Sequence, residues 1–177
     1  MLQRLFRSRP ERTKGCTLYA AAVEQARTPE LYSVLGVADR IDARFELYTV
    51  HVVLLLERLK GNGEEAGDVG QALFDAYLAA LDDALRELGV GDLSVAKKMR
   101  RLGGTIYART HLLTEALQPG AAPFALEAAL AEALFPDAGD ARPERLAAYI
   151  RNARDRLAAQ PLREVLDGKP QWPRIAA

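Results

Sequence analysis

Apolar residues return every three or four positions along most of the chain, and the strand-like alternation of β-branched and aromatic residues is absent. That period is the helical one. Ala, Leu, Glu and Arg, all good helix formers, dominate. A first helix is expected from about Cys16 to Arg27. Thr28, Pro29 and Glu30 then supply the N-cap, first position and first-turn acid of a short helix to Leu35, and Gly36 stops it. Asp39 is the expected cap of a long helix from Ile41 to about Lys60. Gly61-Asn62-Gly63 ends that helix with residues that tolerate a left-handed C-cap.

The next helix is expected from about Val69 to Leu88. Its Phe74, Leu78, Leu81, Leu85 and Leu88 form one apolar stripe. After Gly89-Val90-Gly91-Asp92, Ser94 caps a helix to about Leu117. There Val95, Met99, Leu102, Ile106 and Leu113 face inward and Lys97, Lys98, Arg101 and Arg109 outward. Pro123 to Phe135 reads as a shorter Ala/Leu helix, and Pro143 to Ala159 as an amphipathic one on Leu146, Ile150 and Leu157. Pro161, Pro170 and Pro173 keep the end of the chain short of regular structure, apart from a turn at Leu162 to Leu166. The expectation is an all-α protein with one compact domain of six or seven helices over residues 15–160. A basic, flexible N-terminus (1–14) precedes it and a proline-containing tail (161–177) follows.

Composition narrows the function classes. With 177 residues and 49% hydrophobic residues the chain can bury a core and is not a disordered segment. Lys and Arg number 24 and so do Asp and Glu, which argues against a general nucleic-acid binder and leaves DNA out of the expected partners. Cys16 is the single cysteine, so one chain holds neither a disulfide framework nor a thiolate cage, and a reducing compartment is the natural reading. The longest apolar run, Val50 to Leu56, lies between Glu46 and Glu57 and is far shorter than the ~20 residues of a membrane span. Arg4, Arg7 and Arg9 interrupt any apolar core of a signal peptide. The chain is expected to stay on the side of the membrane where it is made.

Catalytic constellations are sparse. A di-iron bundle needs Glu-x-x-His pairs, but Tyr48 and Ala108 stand three residues before His51 and His111. His111 and Glu115, four apart on one face, make at most part of a metal site, since metals require three or four ligands. His51 lies inside the apolar run and reads as a core histidine bonded to a backbone carbonyl; a general base would need a positioned partner. Cys16 sits in no nucleophile motif. Gly89-x-Gly91 follows a helix and lacks the third glycine of a dinucleotide loop. Gly103-Gly104, inside a helix, reads as room for close packing or a bend. No catalytic residue, metal or cofactor is expected. The alternative of a small helical metal-binding enzyme would have to use His51, His111 and Glu115.

Two features remain. The long helix carries two apolar stripes: Ile41, Phe45, Tyr48, Val52, Leu55 and Leu59 on one side, Leu47, Val50 and Leu54 on another. A surface helix has one, so either this is the central helix, buried all round, or the second stripe is the candidate wall of a groove for an apolar partner; both can hold along different parts of the helix. Charge is segregated as well. Residues 64–92 hold eight acids and one base, whereas residues 97–109 hold five bases and no acid. Lys97, Lys98, Arg100 and Arg101, following Asp92, are either a solvated face pairing with the acidic helix before them or candidates for docking an anionic lipid surface or RNA. At the N-terminus Arg4, Phe6, Arg7 and Arg9 mix basic and apolar character and are candidates for a membrane-surface contact.

Four blocks of the chain carry a resemblance. They are Phe45-Glu46-Leu47-Tyr48-Thr49-Val50-His51-Val52-Val53-Leu54-Leu55-Leu56-Glu57-Arg58-Leu59, Leu73-Phe74-Asp75, the stretch from Arg86 to Met99 with Gly89-Val90-Gly91-Asp92-Leu93-Ser94 and the paired Lys97-Lys98, and Tyr107-Ala108-Arg109. Together with Leu31 to Val37, this pattern resembles the ubiquinol–cytochrome c chaperone family over residues 31–117. The resemblance implies a helical, non-catalytic assembly factor that helps newly made cytochrome b reach the cytochrome bc1 complex. It implies cytochrome b as client, and a small partner protein and the ribosome as further partners, as in mitochondrial relatives. For this Ala/Arg-rich chain it suggests a bacterial homologue at the cytoplasmic face of the inner membrane, equivalent to the matrix face in mitochondria. The alternative from the residues alone is an RNA-, ribosome- or membrane-surface-binding helical module.

Overall fold

Eleven residues of one helix, Ile41–Leu59, are buried, and the remaining elements are arranged around it. The structure is a computed structural model that describes residues 9–87, 89, 92–118, 120–135 and 143–175. Among them are eight helices: α1 (Arg9–Ala26), α2 (Pro29–Ser33), α3 (Ile41–Leu59), α4 (Glu64–Glu87), α5 (Asp92–Ala116), α6 (Ala125–Leu134), α7 (Pro143–Ala159) and α8 (Leu162–Leu166). Helix α3 packs against α1, α4, α5, α6 and α7, and α1 runs along α4. The described residues contain no strand.

This arrangement corrects the groove expected on α3. Leu47, Val50 and Leu54 are 0%, 3% and 2% exposed. They belong to the core, as do Val52, Leu55 and Leu59 of the other stripe. With five helices around it, α3 is buried on all sides along its middle, from Thr49 to Leu55, so both stripes bury apolar area. Its first turn emerges: Ile41 is 76% exposed and Phe45 is half-buried.

Tertiary contacts also move helix boundaries. Helix α1 begins at Arg9, well before Cys16, because its first turns lie on α4. There Lys14 Nζ meets Glu65 Oε1 at 2.5 Å, and a Cβ on Gly15 would stand 2.6 Å from Ala72 and from the Leu73 nitrogen. Helix α4 in turn starts at Glu64, and its Ala66 and Val69 are buried. Asp39 does not cap α3. Arg40 occupies the N-cap position without a side-chain cap bond, while the Asp39 carboxylate pairs with Arg44 at 2.6 Å. Gly61 ends α3 at φ 73°, a conformation that costs glycine little.

Three arginines satisfy carbonyls at helix ends, where intrahelical donors run out. Arg58 of α3 donates to the carbonyls of Leu157 (2.6 Å) and Gln160 (2.9 Å) at the end of α7. Arg145 donates to Val34 at the end of α2 (3.1 Å). Arg154 donates to Leu117, just beyond α5. The segment after α7 is fastened in a similar way. The buried Gln160 amide donates to the Lys169 carbonyl (2.7 Å) and accepts from the Gln171 N–H (2.9 Å), which brings the Trp172 ring edge-on to His51 with centroids 5.1 Å apart.

Gly103 and Gly104 differ from expectation. A Cβ on either would meet nothing within 4 Å, so neither glycine serves helix packing inside this chain. The close approach is at Gly15 instead. Gly15→Ala should therefore lower stability by about 1–3 kcal/mol through overpacking. Gly103→Ala and Gly104→Ala should each raise it by up to about 1 kcal/mol through helix propensity. Urea unfolding midpoints of the three variants check both signs.

Candidate functional site

Where α3 emerges from its wrapping, the first turn of α3, the last turns of α4 and the middle of α5 leave an open apolar groove of about 640 Å³. Ile41 and Phe45 line it from α3, Leu81, Ala84 and Leu85 from α4, and Leu102 from α5; Asp39, Arg40 and Asp42 form its polar edge. The volume lies in the range that takes a ligand or several side chains of a partner. The C-terminal part of the stripe Phe74-Leu78-Leu81-Leu85 on α4, Leu81 and Leu85, forms one wall with Ala84. The face of α4 turned into the core is instead Ala66, Val69, Gly70, Leu73 and Tyr77, which leaves the stripe half-buried beside it.

The groove is framed by contacts deeper in the molecule. Glu46, on α3 one turn past Asp42, meets Arg109 Nε of α5 at 3.2 Å. Farther along, the Thr114 hydroxyl donates to Glu57 (3.3 Å). On the α4 side the Tyr77 hydroxyl and Thr49 Oγ1 are 2.7 Å apart in the core, and Thr49 donates to the Phe45 carbonyl (2.9 Å). At the edge, Arg40 pairs with Asp42 at 2.8 Å and Arg44 with Asp39, so the α3 rim is internally neutralised. Arg40 holds the Asp42 carboxyl below its ordinary pKa, chiefly through their hydrogen bond.

Of the basic block on α5, Lys97, Lys98 and Arg100 are exposed. Asp92 and Arg101 lie on the helix backbone, but their side chains fall outside the described residues, as do Arg4, Phe6, Arg7 and the side chain of Arg9. The structure thus brings together residues that sequence reading kept apart. Leu81, Leu85 and Leu102 read as core positions, and Ile41 as part of an ordinary inward stripe. The one available signal was that Ile41 opens its helix just after the charged pair Asp39-Arg40, where few neighbours can cover it.

Neither histidine assembles a reactive centre. His111 Nδ1 meets Glu115 at 3.1 Å on an exposed face, and among the described residues no three His, Cys, Asp or Glu side chains gather to hold a metal. His51 is fully buried. Its Nδ1 lies 2.8 Å from the Leu47 carbonyl, which can only accept, so Nδ1 carries the proton. Its Nε2 then accepts from the Tyr149 hydroxyl at 2.9 Å, and that oxygen accepts from the Gln25 amide at 2.9 Å. Burial lowers the imidazole pKa from 6.5 to about 4 and raises the pKa of the Tyr149 phenol. The network is a satisfied polar joint between α1, α3 and α7 that needs a neutral imidazole.

Fold and groove define an all-helical protein with an open apolar surface. Comparison with known proteins makes the class specific. The family model described as ubiquinol–cytochrome C chaperone matches residues 33–172. The crystal structure of the Cbp3 homolog from Brucella abortus is similar over 98% of this chain and 97% of that one, with a TM-score of 0.83 and 29% identity. A comparison with curated proteins gives no match. The chain belongs to the ubiquinol–cytochrome c chaperone family, whose work is assembly of the bc1 complex. Among the described residues no helix is long and apolar enough to cross a membrane.

The His51 joint makes stability pH-dependent in a defined window. Between pH about 6.5 and 4 the unfolded chain binds a proton that the folded chain excludes. The stabilisation is complete above the upper value and is lost as pH falls towards the lower one, by about 3 kcal/mol if it acts alone. Urea unfolding at pH 7 and pH 5 should show the loss, and His51→Gln should flatten it.

Proposed function

We propose that this chain binds an apolar segment of newly made cytochrome b and holds it for assembly into the bc1 complex, at the cytoplasmic face of a bacterial inner membrane. The observation that carries the reading is the groove, a set of apolar side chains from α3, α4 and α5 left open to solvent. Each client Leu or Phe side chain fully buried there would add roughly 1.5–3 kcal/mol. Two or three such side chains give a grip that is useful and still reversible. Binding and release are the whole task; no bond is made or broken, and the chain acts as an assembly factor rather than an enzyme.

The basic block adds orientation. Lys97 and Arg100 are exposed on α5, the helix that supplies one wall of the groove, and Arg101 and Asp92 belong to the same charged stretch of sequence. Bases of this kind are attracted to an anionic bilayer by about 1 kcal/mol each. Arg4, Phe6, Arg7 and Arg9 supply a second contact with the same surface. Such docking would hold the groove near the place where a membrane-protein client emerges.

Deletion of the gene should lower bc1 content and leave other respiratory complexes near normal; unchanged bc1 would end the proposal. At the level of the site, Leu85→Asp and Leu102→Asp, both at half-buried positions, should fold but recover at least several-fold less cytochrome b with the tagged protein. Leu112→Asp, elsewhere on α5, is the control. Co-sedimentation with anionic vesicles at ~0.15 M salt, where surface charges still act over about 8 Å, should fall when Lys97 and Arg100 are both changed to Gln.

A further inference from the structure

The groove has one charged wall, and that wall says something about its occupant. Successive residues of an α-helix are turned by about 100°. On α5, Lys98 therefore lies only about 40° from Leu102, whereas Lys97 and Arg100 lie about 140° and 160° away from it. Leu102 lines the groove. Arg109, on nearly the same side of α5, reaches across to Glu46 of α3, which independently places this side of the helix towards α3. Among the block's described side chains, Lys98 is thus the one on the groove side of α5, one turn from the lining Leu102, and it is exposed.

The other walls do not offset it. On the α3 rim, Arg40 and Arg44 are matched by Asp42 and Asp39. On α4, Asp82 is matched by Arg86 at 2.7 Å, and Asp83 lies about 160–200° around the helix from Leu81 and Leu85, on the far side from the groove. Residues 93–114 of α5 contain no acid. The opening therefore presents an apolar floor with positive charge along one edge.

We infer that the groove selects an amphipathic helix whose apolar stripe is flanked by acidic residues, with Lys98 meeting a flanking carboxylate as the stripe enters. The inference rests on the client-binding reading of the groove and adds the chemistry of the segment it takes. An uncharged apolar segment would fill the floor but leave the ammonium unmatched, and a segment with basic flanks would be repelled. An exposed-edge pair of this kind changes affinity by about fivefold.

The test uses the full chain and three synthetic helical peptides with the same leucine stripe, flanked at both ends by Glu, Gln or Lys. Fluorescence anisotropy should rank them acidic, neutral, basic, with about fivefold in Kd at each step. Lys98→Glu should reverse the order, whereas Lys97→Glu, which changes net charge equally on the outward face, should leave it. Equal affinity for the three peptides, or equal effects of the two lysine variants, would overturn the inference and leave the groove reading intact. If none of the peptides binds, or if Leu85→Asp binds them as well as the unaltered chain, the groove reading fails and the inference with it.

Discussion

The structure depends on one constraint: α3 is apolar on more than one side and must be wrapped. A helix with a single stripe settles on a neighbour and shows its other face to water. Helix α3 cannot do so, and α1, α4, α5, α6 and α7 all lie against it. The same enclosure takes His51 out of water. Its ring is tolerated there because it is neutral and both nitrogens find partners, in the Leu47 carbonyl and the Tyr149 hydroxyl. The peripheral helices are then tied to each other at their ends, where Arg58, Arg145 and Arg154 reach the carbonyls that helix geometry leaves open.

The groove follows from where the wrapping stops. The last turns of α4 and the middle of α5 lie beside the first turn of α3, so Ile41, Phe45, Leu81, Leu85 and Leu102 converge on a groove that no other described residue fills. An apolar floor held by buried bonds on both sides, Glu46 with Arg109 and Thr49 with Tyr77, is already shaped before a partner arrives. Preorganisation of that kind reduces the ordering cost of binding.

Much of this was legible from residue order. The seven main helical segments, the stop at Gly36 and Gly61 and the core role of His51 emerge from spacing and short motifs, and the family from the resemblance of four blocks of sequence. The misplaced features share a cause. Arg9 to Gly15 lacks an apolar stripe, so periodicity alone places the start of α1 near Cys16, whereas in the fold Gly15 lies against Ala72. Gly103-Gly104 reads in sequence as room for packing or a bend, yet the close approach is at Gly15. The stripe Leu47-Val50-Leu54 reads as a binding wall as easily as core, because an apolar residue looks the same in sequence whether a neighbour covers it or nothing does.

What the amino-acid order determined by itself is local: helical periodicity, the turns between helices, the separation of acidic α4 from basic α5, and the presence of more apolar surface on α3 than one neighbour could cover. Which part of that surface stays open was decided only in three dimensions. Exposure depends on how far each neighbouring helix extends past the end of α3 and at what rotation it packs. Those quantities are set by many long-range contacts at once, so the same leucine periodicity yields a buried seam at Leu54 and an open floor at Leu85.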